Sequence, residues 1–230
     1  MKSRKVSRRQ ALGTMGAASA ALVLGCGGSP SAPSAASAAP ESSSTNGSCT
    51  VTPTETAGPF PSLNHLFRSD IREGKSGTLL TLTIKVVNSN AGCAAVPNAD
   101  VEVWHVDAAG QYSEYGSQAP QTYLRGIQTT NGNGEVTFTT IYPGWYQGRA
   151  THIHAEVTIG GVSRKVTQLA FPEAVNDAVH TSGVYASRGK NPMTNLADGI
   201  FADSLASELV VPTGGAASGY AVHFQVAIAA

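Results

Sequence analysis

Charged residues are scarce in this chain of 230 residues, and they make up only 13% of it. Five of the fifteen basic residues lie within the first nine positions, which leaves ten basic against fifteen acidic residues and a formal charge of −5 in the rest. A nucleic-acid-binding protein needs a basic surface, and a charge-extended disordered chain needs many more charges. The composition therefore predicts neither, and no nucleic-acid partner is expected.

Long hydrophobic runs are also missing. The apolar stretch over residues 11–25 has about the length of the hydrophobic region of a signal peptide and is too short to span a bilayer. Together with the basic residues before it, this stretch predicts an export signal over residues 1–25. Arg8 and Arg9 stand in an order typical of twin-arginine signals. We therefore expect an exported protein, located in the periplasm, at the cell surface or outside the cell.

Cys26 directly follows the predicted signal, in a context that resembles a lipobox. A lipid on Cys26 would tether the protein to a membrane, whereas an ordinary cleaved signal would leave this cysteine without a role. Residues 26–48 consist mostly of Ser, Ala, Pro and Gly, which is typical of a flexible tether. The sequence therefore predicts one folded domain over residues 49–230.

Cysteine is rare, with three residues in the whole chain. Beyond Cys26 only Cys49 and Cys93 remain. Two such cysteines in an exported protein typically form a disulfide. This bridge would pin the start of the folded domain to the loop before a predicted strand over residues 99–106, and the alternative is two buried free thiols.

Apolar and polar residues alternate with a period of two, which is typical of strands with one face in a core. Glycine-rich turn signals occur at residues 131–134, 160–161 and 214–215. Helical candidates are short, over residues 173–178 or 200–205. The pattern predicts an all-β fold, an antiparallel β-sandwich. The alternating segments are 80–86, 101–104, 136–139, 152–159 and 220–228.

Histidine and tyrosine residues form the candidate chemical site. His152 and His154 would point to the same side of a strand, where two imidazoles suit one metal ion. Tyr112 and Tyr146 each follow a glycine-containing turn. Zinc favours His, Cys and carboxylate ligands, and copper favours Cys or Met beside His. Phenolate is a hard anionic ligand that suits ferric iron.

Each of these residues also has a purely structural interpretation. The tyrosines would then be core aromatics and the histidines half-buried strand residues. Arg149 would pair with Glu156 at the surface, and Gln168 would be an ordinary strand residue. Only the joint occurrence of these residues, in this order along one predicted sandwich, favours a metal site.

From Cys49 onwards the sequence resembles the intradiol ring-cleavage dioxygenases, non-haem ferric enzymes built on a β-sandwich. Three stretches carry the resemblance: VEVWHVDAAGQYS, YLRGIQTTNGNGEVTFTTIYPGWYQGRATHIH and TQLAF. Position by position, the resemblance implies a non-haem Fe(III) cofactor held by four ligands. These ligands are Tyr112, Tyr146, His152 and His154.

The resemblance also implies roles for residues around the iron. Tyr146 would leave the metal as the substrate binds and would take up a proton. Arg149 would stabilise negative charge that develops on the substrate, and Gln168 would orient the substrate. Gly58 and Pro59 match a segment that lines the substrate pocket in relatives.

The implied reaction inserts both atoms of O2 into a catechol between its two hydroxyl-bearing carbons and gives a cis,cis-muconate. The chain lacks the long helical N-terminal segment of the catechol 1,2-dioxygenases, and the loop from Tyr146 to His152 is short, as in the secreted, minimal branch of the family. A catechol or a simple substituted catechol is expected in preference to protocatechuate. A homo-oligomer remains possible.

Two functions of other classes compete with this interpretation. A non-catalytic, cell-surface β-sandwich binding module would hold no metal and would offer a concave aromatic patch. A zinc hydrolase would need a third histidine or a carboxylate beside the His152 and His154 pair.

Overall fold

A computed structural model describes residues 49–230. The predicted export signal over residues 1–25, the tether over residues 26–48 and the lipidation site at Cys26 lie outside the described residues. Within residues 49–230, no helix has both the length and the apolar character needed to cross a membrane.

The described part of the chain is dominated by β-strands, as predicted. Its helices are short: α1 (Glu173–His180), α2 (Leu205–Glu208) and single 3-10 turns at Ser89–Ala91, Gly116–Gln118 and Gly183–Tyr185. The strands, in chain order, are β1 (Leu79–Asn88), β2 (Ala94–Ala95), β3 (Asp100–Trp104), β4 (Arg125–Thr129), β5 (Glu135–Ile141), β6 (His152–Ile159), β7 (Val162–Ala170), β8 (Thr213–Gly215) and β9 (Gly219–Ile228).

These strands form two sheets with the hydrophobic core between them. The first sheet has the order β2-β1-β9-β8, with β5 also paired to β1, and the second has the order β4-β3-β6-β7. Inward-facing residues of both sheets, such as Leu82 on β1 and Phe138 on β5, are fully buried. The all-β sandwich is therefore confirmed.

Alternation along β6 decides where the candidate ligands lie. Ile153, Ala155 and Val157 are fully buried and belong to the core cluster between the sheets. Successive side chains point to opposite faces of a strand. His152 and His154 therefore lie on the outer face of the second sheet.

One strand pair differs from the predicted antiparallel arrangement. β1 and β9 run parallel, with register partners from Leu80 and Tyr220 to Asn88 and Ile228, whereas the other pairs among the described strands are antiparallel. The alternation of buried and exposed residues is the same in parallel and antiparallel strands, so it does not predict the direction in which two strands pair. A parallel pair requires a long connection, and here nearly the whole domain separates the two strands.

Two local predictions need correction. Gly214 and Gly215 lie in β8 and not in a turn, because β8 pairs with the start of β9 and residues 216–218 make the turn. The helical candidate over residues 200–205 is wrong in position, since α2 begins only at its last residue. Residues 199–204 form turns, and the Asp198 side chain accepts a hydrogen bond from Ile200 N (2.9 Å). The candidate over residues 173–178 is confirmed as the main part of α1.

An N-terminal arm, residues 49–60, crosses from one sheet to the other. A disulfide joins Cys49 to Cys93, with 5.7 Å between their Cα atoms. Thr52 then exchanges hydrogen bonds with Ala227 of β9 (2.9 and 2.8 Å). Glu55 N donates to the carbonyl of Val166 on β7 (2.9 Å). These contacts lead the arm onto the outer face of the second sheet, where the candidate ligands lie.

Candidate active site

The two histidines at the start of β6 turn their rings toward one another. Nε2 of His152 lies 3.2 Å from Nε2 of His154. Nδ1 of His152 donates to the carbonyl of Ala150 (2.6 Å), because a carbonyl only accepts. Nε2 of His152 is then the nitrogen that carries the lone pair. Within residues 49–230, Nδ1 of His154 is buried without a hydrogen-bond partner.

Burial keeps both imidazoles neutral. Burial, together with the smaller effect of the positive charge of Arg149, lowers the pKa of His152 to about 3. Burial also holds the pKa of His154 well below the usual value, with additional effects from His152 and Arg149. The neutral imidazole is the form that binds a metal ion.

The ring of His154 is fixed by its neighbours. Trp104, its direct partner on β3, stacks on the imidazole with 4.8 Å between ring centroids and an interplanar angle of 1°. Gly58 of the arm approaches the same ring so closely that a Cβ there would lie 3.3 Å from Cε1. Gly58 also has φ +69°, in the left-handed region that favours glycine.

The two tyrosines complete a four-ring cluster. The side chain of Asp107 accepts hydrogen bonds from Ala109 N and Gln111 N (both 3.0 Å) and so shapes the turn that presents Tyr112. Tyr112 and Tyr146 lie with ring centroids 5.7 Å apart. The Tyr146 ring is 5.6 Å from the His152 ring, and the Tyr112 ring is 6.4 Å from the His154 ring.

Tyr112 is the buried tyrosine of the pair, and Tyr146 is partly exposed. Burial raises the pKa of Tyr112 well above its usual value, and the charge and hydrogen bond of Tyr146 raise it further. A nearby cation would act in the opposite direction, because an opposite charge favours the ionised form of a phenol. This environment suits a phenol that ionises only when it binds a metal ion.

The chemistry of these donors fits ferric iron. Two neutral imidazoles and two phenols converge on one place, and the phenols are hard anionic ligands once ionised. In the described part of the chain, no group of three or more His, Cys, Asp or Glu side chains is arranged to hold a metal ion. The donor set of a zinc hydrolase is therefore not present there.

Arg149 is tied to a carboxylate that the sequence did not indicate. Its Nε donates to Oδ2 of Asp198 (2.8 Å), so the alternative of a surface pair with Glu156 is wrong. One terminal nitrogen donates to Oε1 of Gln168 (2.6 Å), and the other lies 3.5 Å from the hydroxyl of Tyr146. The guanidinium therefore borders the cluster of candidate ligands.

Gln168 is buried, and both ends of its amide are occupied. While Oε1 accepts from Arg149, Nε2 donates to the carbonyl of Thr56 in the arm (2.8 Å). Gln168 therefore joins the arm to the guanidinium.

An open cavity of about 310 Å³ lies beside the two tyrosines. Phe60 and Tyr115 contribute its other aromatic walls, and the Phe60 ring lies 4.9 Å from that of Tyr112. None of the described residues that line it is charged. Pro59, predicted to bind substrate, is exposed and is not one of the lining residues, and its neighbour Phe60 takes that place.

A larger depression of about 680 Å³ lies elsewhere, lined by parts of residues 77–79, 182–185 and 216–219. Tyr185 is the one titratable residue among those lining residues. Its hydroxyl already donates to the carbonyl of Tyr142 (2.6 Å) and accepts from Thr78 N (3.2 Å). Despite its size, its described lining holds no histidine, carboxylate or basic side chain that could act as a general acid or base.

The structure thus brings together the four predicted ligands, Arg149, Gln168 and Gly58. Sequence reasoning missed Asp198 and the stacking of Trp104, whereas Phe60 belongs to the arm segment that the resemblance placed at the substrate pocket. Trp104 follows from the alternation of β3 once the register with β6 is known. Asp198 lies in a loop with no periodic pattern, and no spacing signal marks it.

Comparison with known proteins gives a family match over most of the folded domain. The sequence profile of a family described as "Dioxygenase" matches residues 60–188. This range contains all four candidate ligands together with Arg149 and Gln168. It excludes Gly58 of the arm and Asp198.

Solved structures are similar over a larger share of the chain. An intradiol ring-cleavage dioxygenase from Tetranychus urticae is 28% identical, with a TM-score of 0.74, and the match covers 78% of this chain and 95% of that one. The dioxygenase domain of a carbohydrate-binding fusion protein from Streptomyces sp. SirexAA-E is 25% identical, with a TM-score of 0.59 and coverage of 77% and 97%.

Catechol 1,2-dioxygenase from Acinetobacter sp. ADP1 is more distant. It is 18% identical, with a TM-score of 0.57, and the match covers 77% of this chain but only 62% of that one. This comparison shows a shared fold.

Proposed function

This chain belongs to the intradiol ring-cleavage dioxygenase family, and we propose that it is a non-haem Fe(III) enzyme that cleaves a catechol. Both atoms of O2 would enter between the two hydroxyl-bearing carbons, so that the bond between these carbons breaks and each becomes part of a carboxylate of a cis,cis-muconate. The observation that carries the proposal is the convergence of two phenols and two neutral imidazoles beside an open aromatic cavity.

The iron would be held by Tyr112, Tyr146, His152 and His154. When bound, Fe(III) supplies Lewis-acid chemistry that binds the catechol oxygens and activates the ring toward O2. Tyr146, the partly exposed tyrosine beside the cavity, would be ionised as an iron ligand and could then accept a proton from a catechol hydroxyl at its own oxygen. Tyr112 is buried and keeps its place.

Arg149 provides the positive charge of the site. Its guanidinium is held before the substrate arrives, so it stabilises negative charge that develops on the ring without reorganisation. Gln168 orients the substrate indirectly, through its hydrogen bond to this guanidinium. The carbonyl of Thr56 holds Gln168 in turn.

The uncharged lining favours catechol or a simple substituted catechol over protocatechuate. A ring carboxylate would need a cation of its own, and Arg149 is already paired with Asp198. Arg125 is buried beside Glu114. Arg188 lies over the Trp145 ring and donates to the carbonyl of Ala109, and it is not one of the lining residues.

The first test is spectroscopic. Tyrosinates on ferric iron give an intense charge-transfer band in the visible, so the iron-loaded protein is expected to be reddish. Anaerobic catechol should move the band to longer wavelength. Tyr146→Phe should keep iron but shift the band and slow turnover, and His152→Ala or His154→Ala should lose most of the iron.

Matched controls are available in the same domain. Tyr115→Phe removes a hydroxyl from another wall of the cavity, and His223→Ala removes an exposed imidazole from β9. Both variants should keep the wild-type band and iron content. A ferric-loaded wild type without a band that responds to Tyr112→Phe or Tyr146→Phe would contradict the proposal and favour the binding module.

The second test is oxygen uptake with catechol, hydroxyquinol and protocatechuate, together with identification of the ring-opened product. Catechol is expected to give the highest kcat/KM. A tenfold preference for protocatechuate, about 1.4 kcal/mol at the transition state, would contradict the substrate proposal but not the reaction class. An Arg188→Gln variant then shows whether this arginine recognises the carboxylate.

Export is a separate proposal that rests on residues 1–48 alone. The basic start, the apolar stretch and the Arg8-Arg9 pair support transport by the twin-arginine route, with either lipidation at Cys26 or simple cleavage. Replacing both arginines with lysine should leave the protein inside the cell. Labelling with a radioactive fatty acid, lost in Cys26→Ser, would distinguish a lipid anchor from a cleaved signal.

A homo-oligomer is also proposed, and light scattering of the purified protein tests it.

A further inference from the structure

Asp198 makes three hydrogen bonds from a buried position in the loop before α2. Its side chain is 1% exposed. Oδ2 accepts from Nε of Arg149 (2.8 Å) and from the backbone N of Ala150 (2.7 Å), and Oδ1 accepts from Ile200 N (2.9 Å). Both oxygens of the carboxylate are therefore occupied, and one of them faces the segment that leads into β6.

A second contact ties the same loop to that segment. Nδ2 of Asn191 donates to the carbonyl of Arg149 (3.0 Å). The loop over residues 191–200 thus holds Arg149 and Ala150 through two side chains and from two directions. This arrangement leaves the guanidinium few alternative positions.

The contacts of Asp198 lead on to the candidate ligands. With Nε held by Asp198, the terminal nitrogens of Arg149 reach Gln168 (2.6 Å) and the hydroxyl of Tyr146 (3.5 Å). The peptide unit of Ala150 donates its N–H to Asp198, and the carbonyl of Ala150 accepts from Nδ1 of His152. The Asp198 carboxylate thus holds both the Arg149 guanidinium and the peptide unit of Ala150, which contacts His152.

We propose that Asp198 is a positioning residue that aims the Arg149 guanidinium at the reacting ring, an inference that rests on the proposed dioxygenase function. The Asp198 side chain is 1% exposed and both of its oxygens are bound to Arg149, Ala150 and Ile200, so it acts through Arg149. An amide at this position has one acceptor oxygen where the carboxylate has two, so either Ile200 N or the Arg149–Ala150 side loses its partner. The charge that orients the guanidinium is lost as well.

The test compares Asp198→Asn and Asp198→Glu with Asp177→Asn as the control. Asp177 also pairs with a cation, Lys190, but at the surface. In Asp198→Asn we expect iron content to stay near that of the wild type and kcat for catechol to fall roughly 10- to 100-fold, as expected for a misplaced catalytic group. KM should change much less. The control should retain the wild-type kcat.

A double-mutant cycle with Arg149→Ala separates positioning from general structural damage. If Asp198 acts through Arg149, Asp198→Asn should lower kcat little further once Arg149 is absent. Full additivity of the two effects on kcat would overturn the proposal.

A readout without iron keeps the inference separate from the proposed function. In the metal-free protein, the Arg149 Nε–H should give a protected NMR resonance that shifts in Asp198→Asn and stays in place in Asp177→Asn. If the wild type lacks dioxygenase activity, the proposed function fails while this spectrum still reports the contact. An unchanged Arg149 resonance in Asp198→Asn would overturn the positioning role.

Folding failure of Asp198→Asn has its own test. An unpaired buried guanidinium is costly, so Asp198→Asn combined with Arg149→Ala should fold again. Asp198→Glu keeps the charge but moves it by one methylene, and it should fold with a reduced kcat. A wild-type kcat in Asp198→Glu would show that the position of the carboxylate is unimportant and would overturn the proposal.

Discussion

Glu208 places a carboxyl group in a fully buried position at the end of α2. One oxygen accepts from the hydroxyl of Thr167 on β7 (2.8 Å) and the other from that of Ser204 (2.6 Å). Burial raises the pKa of Glu208 from 4.5 to about 7, against the opposing effect of the two hydroxyl groups. The pKa of about 7 includes a smaller increase from the negative charge of Glu55 in the arm.

This shift has a definite sign for stability. Between pH 4.5 and about 7 the folded state binds more protons at Glu208 than the unfolded state does. The contribution of this group is therefore fully present below pH 4.5 and is lost as pH rises through about 7. At about 1.4 kcal/mol for each pKa unit, a rise from 4.5 to about 7 corresponds to a loss of roughly 3–4 kcal/mol.

Glu208→Gln removes the titration and keeps nearly the same shape. We expect the variant to be about as stable as the wild type at pH 4 and more stable at pH 8, by roughly 3–4 kcal/mol. Urea unfolding at several pH values, with linear extrapolation, measures the difference. Glu135→Gln is the control, because the Glu135 carboxylate pairs with Lys85 in a solvent-accessible position.

The difference between variant and wild type is the informative quantity, since it cancels the titration of other groups. Asp70 is one such group, because its hydrogen bond to Arg72 lowers its pKa to about 2 and gives an opposite dependence at acid pH. Identical pH dependence in the wild type and in Glu208→Gln would refute the reasoning. It would mean that Glu208 ionises in the folded protein as easily as in the unfolded chain.

Three further predictions concern the arm and the domain boundary. Replacing Cys49 and Cys93 with serine opens a loop with a sequence separation of 44, and the unfolding free energy measured in urea should fall by about 4 kcal/mol on the chain-entropy model. An unchanged value would mean that the bridge does not restrict the unfolded chain. Gly58→Ala should cost about 1–2 kcal/mol of backbone strain and weaken iron binding by crowding His154, whereas Gly189→Ala, with φ +72° and open space around it, should show the strain alone. Equal iron affinity in the two variants would exclude the crowding. A chain that starts at Cys49 should fold and bind iron, as checked by circular dichroism and metal analysis, and an unfolded product under oxidising conditions would contradict the tether prediction.

The sequence predicted the sandwich because the alternation of buried residues is local information. Leu80 to Val86 alternate whatever strand they pair with, and so do residues 220–228. Both strands were therefore predictable, whereas their parallel pairing was not. The short strand β8 was hidden for a different reason. Its glycines have the composition of a turn, and only the contact with β9 makes them a strand.

The candidate ligands were predictable because their spacing and their motifs are continuous in the sequence. His152 and His154 share one strand, and the two tyrosines follow recognisable turns. Asp198 was not predictable in the same way. It meets Arg149 across 49 positions, through a loop that carries no repeating pattern, and only the folded loop brings the two charges together.

The arm described above connects residues at the start of the folded domain to residues much later in the chain. Thr56 is synthesised well before Gln168, the residue that it holds, which follows 112 positions later. Contacts of such long range form late because a large loop must close before they stabilise anything. If the site binds iron as proposed, metal capture should be one of the last events in the maturation of this protein, and bound iron would mark chains that have finished folding.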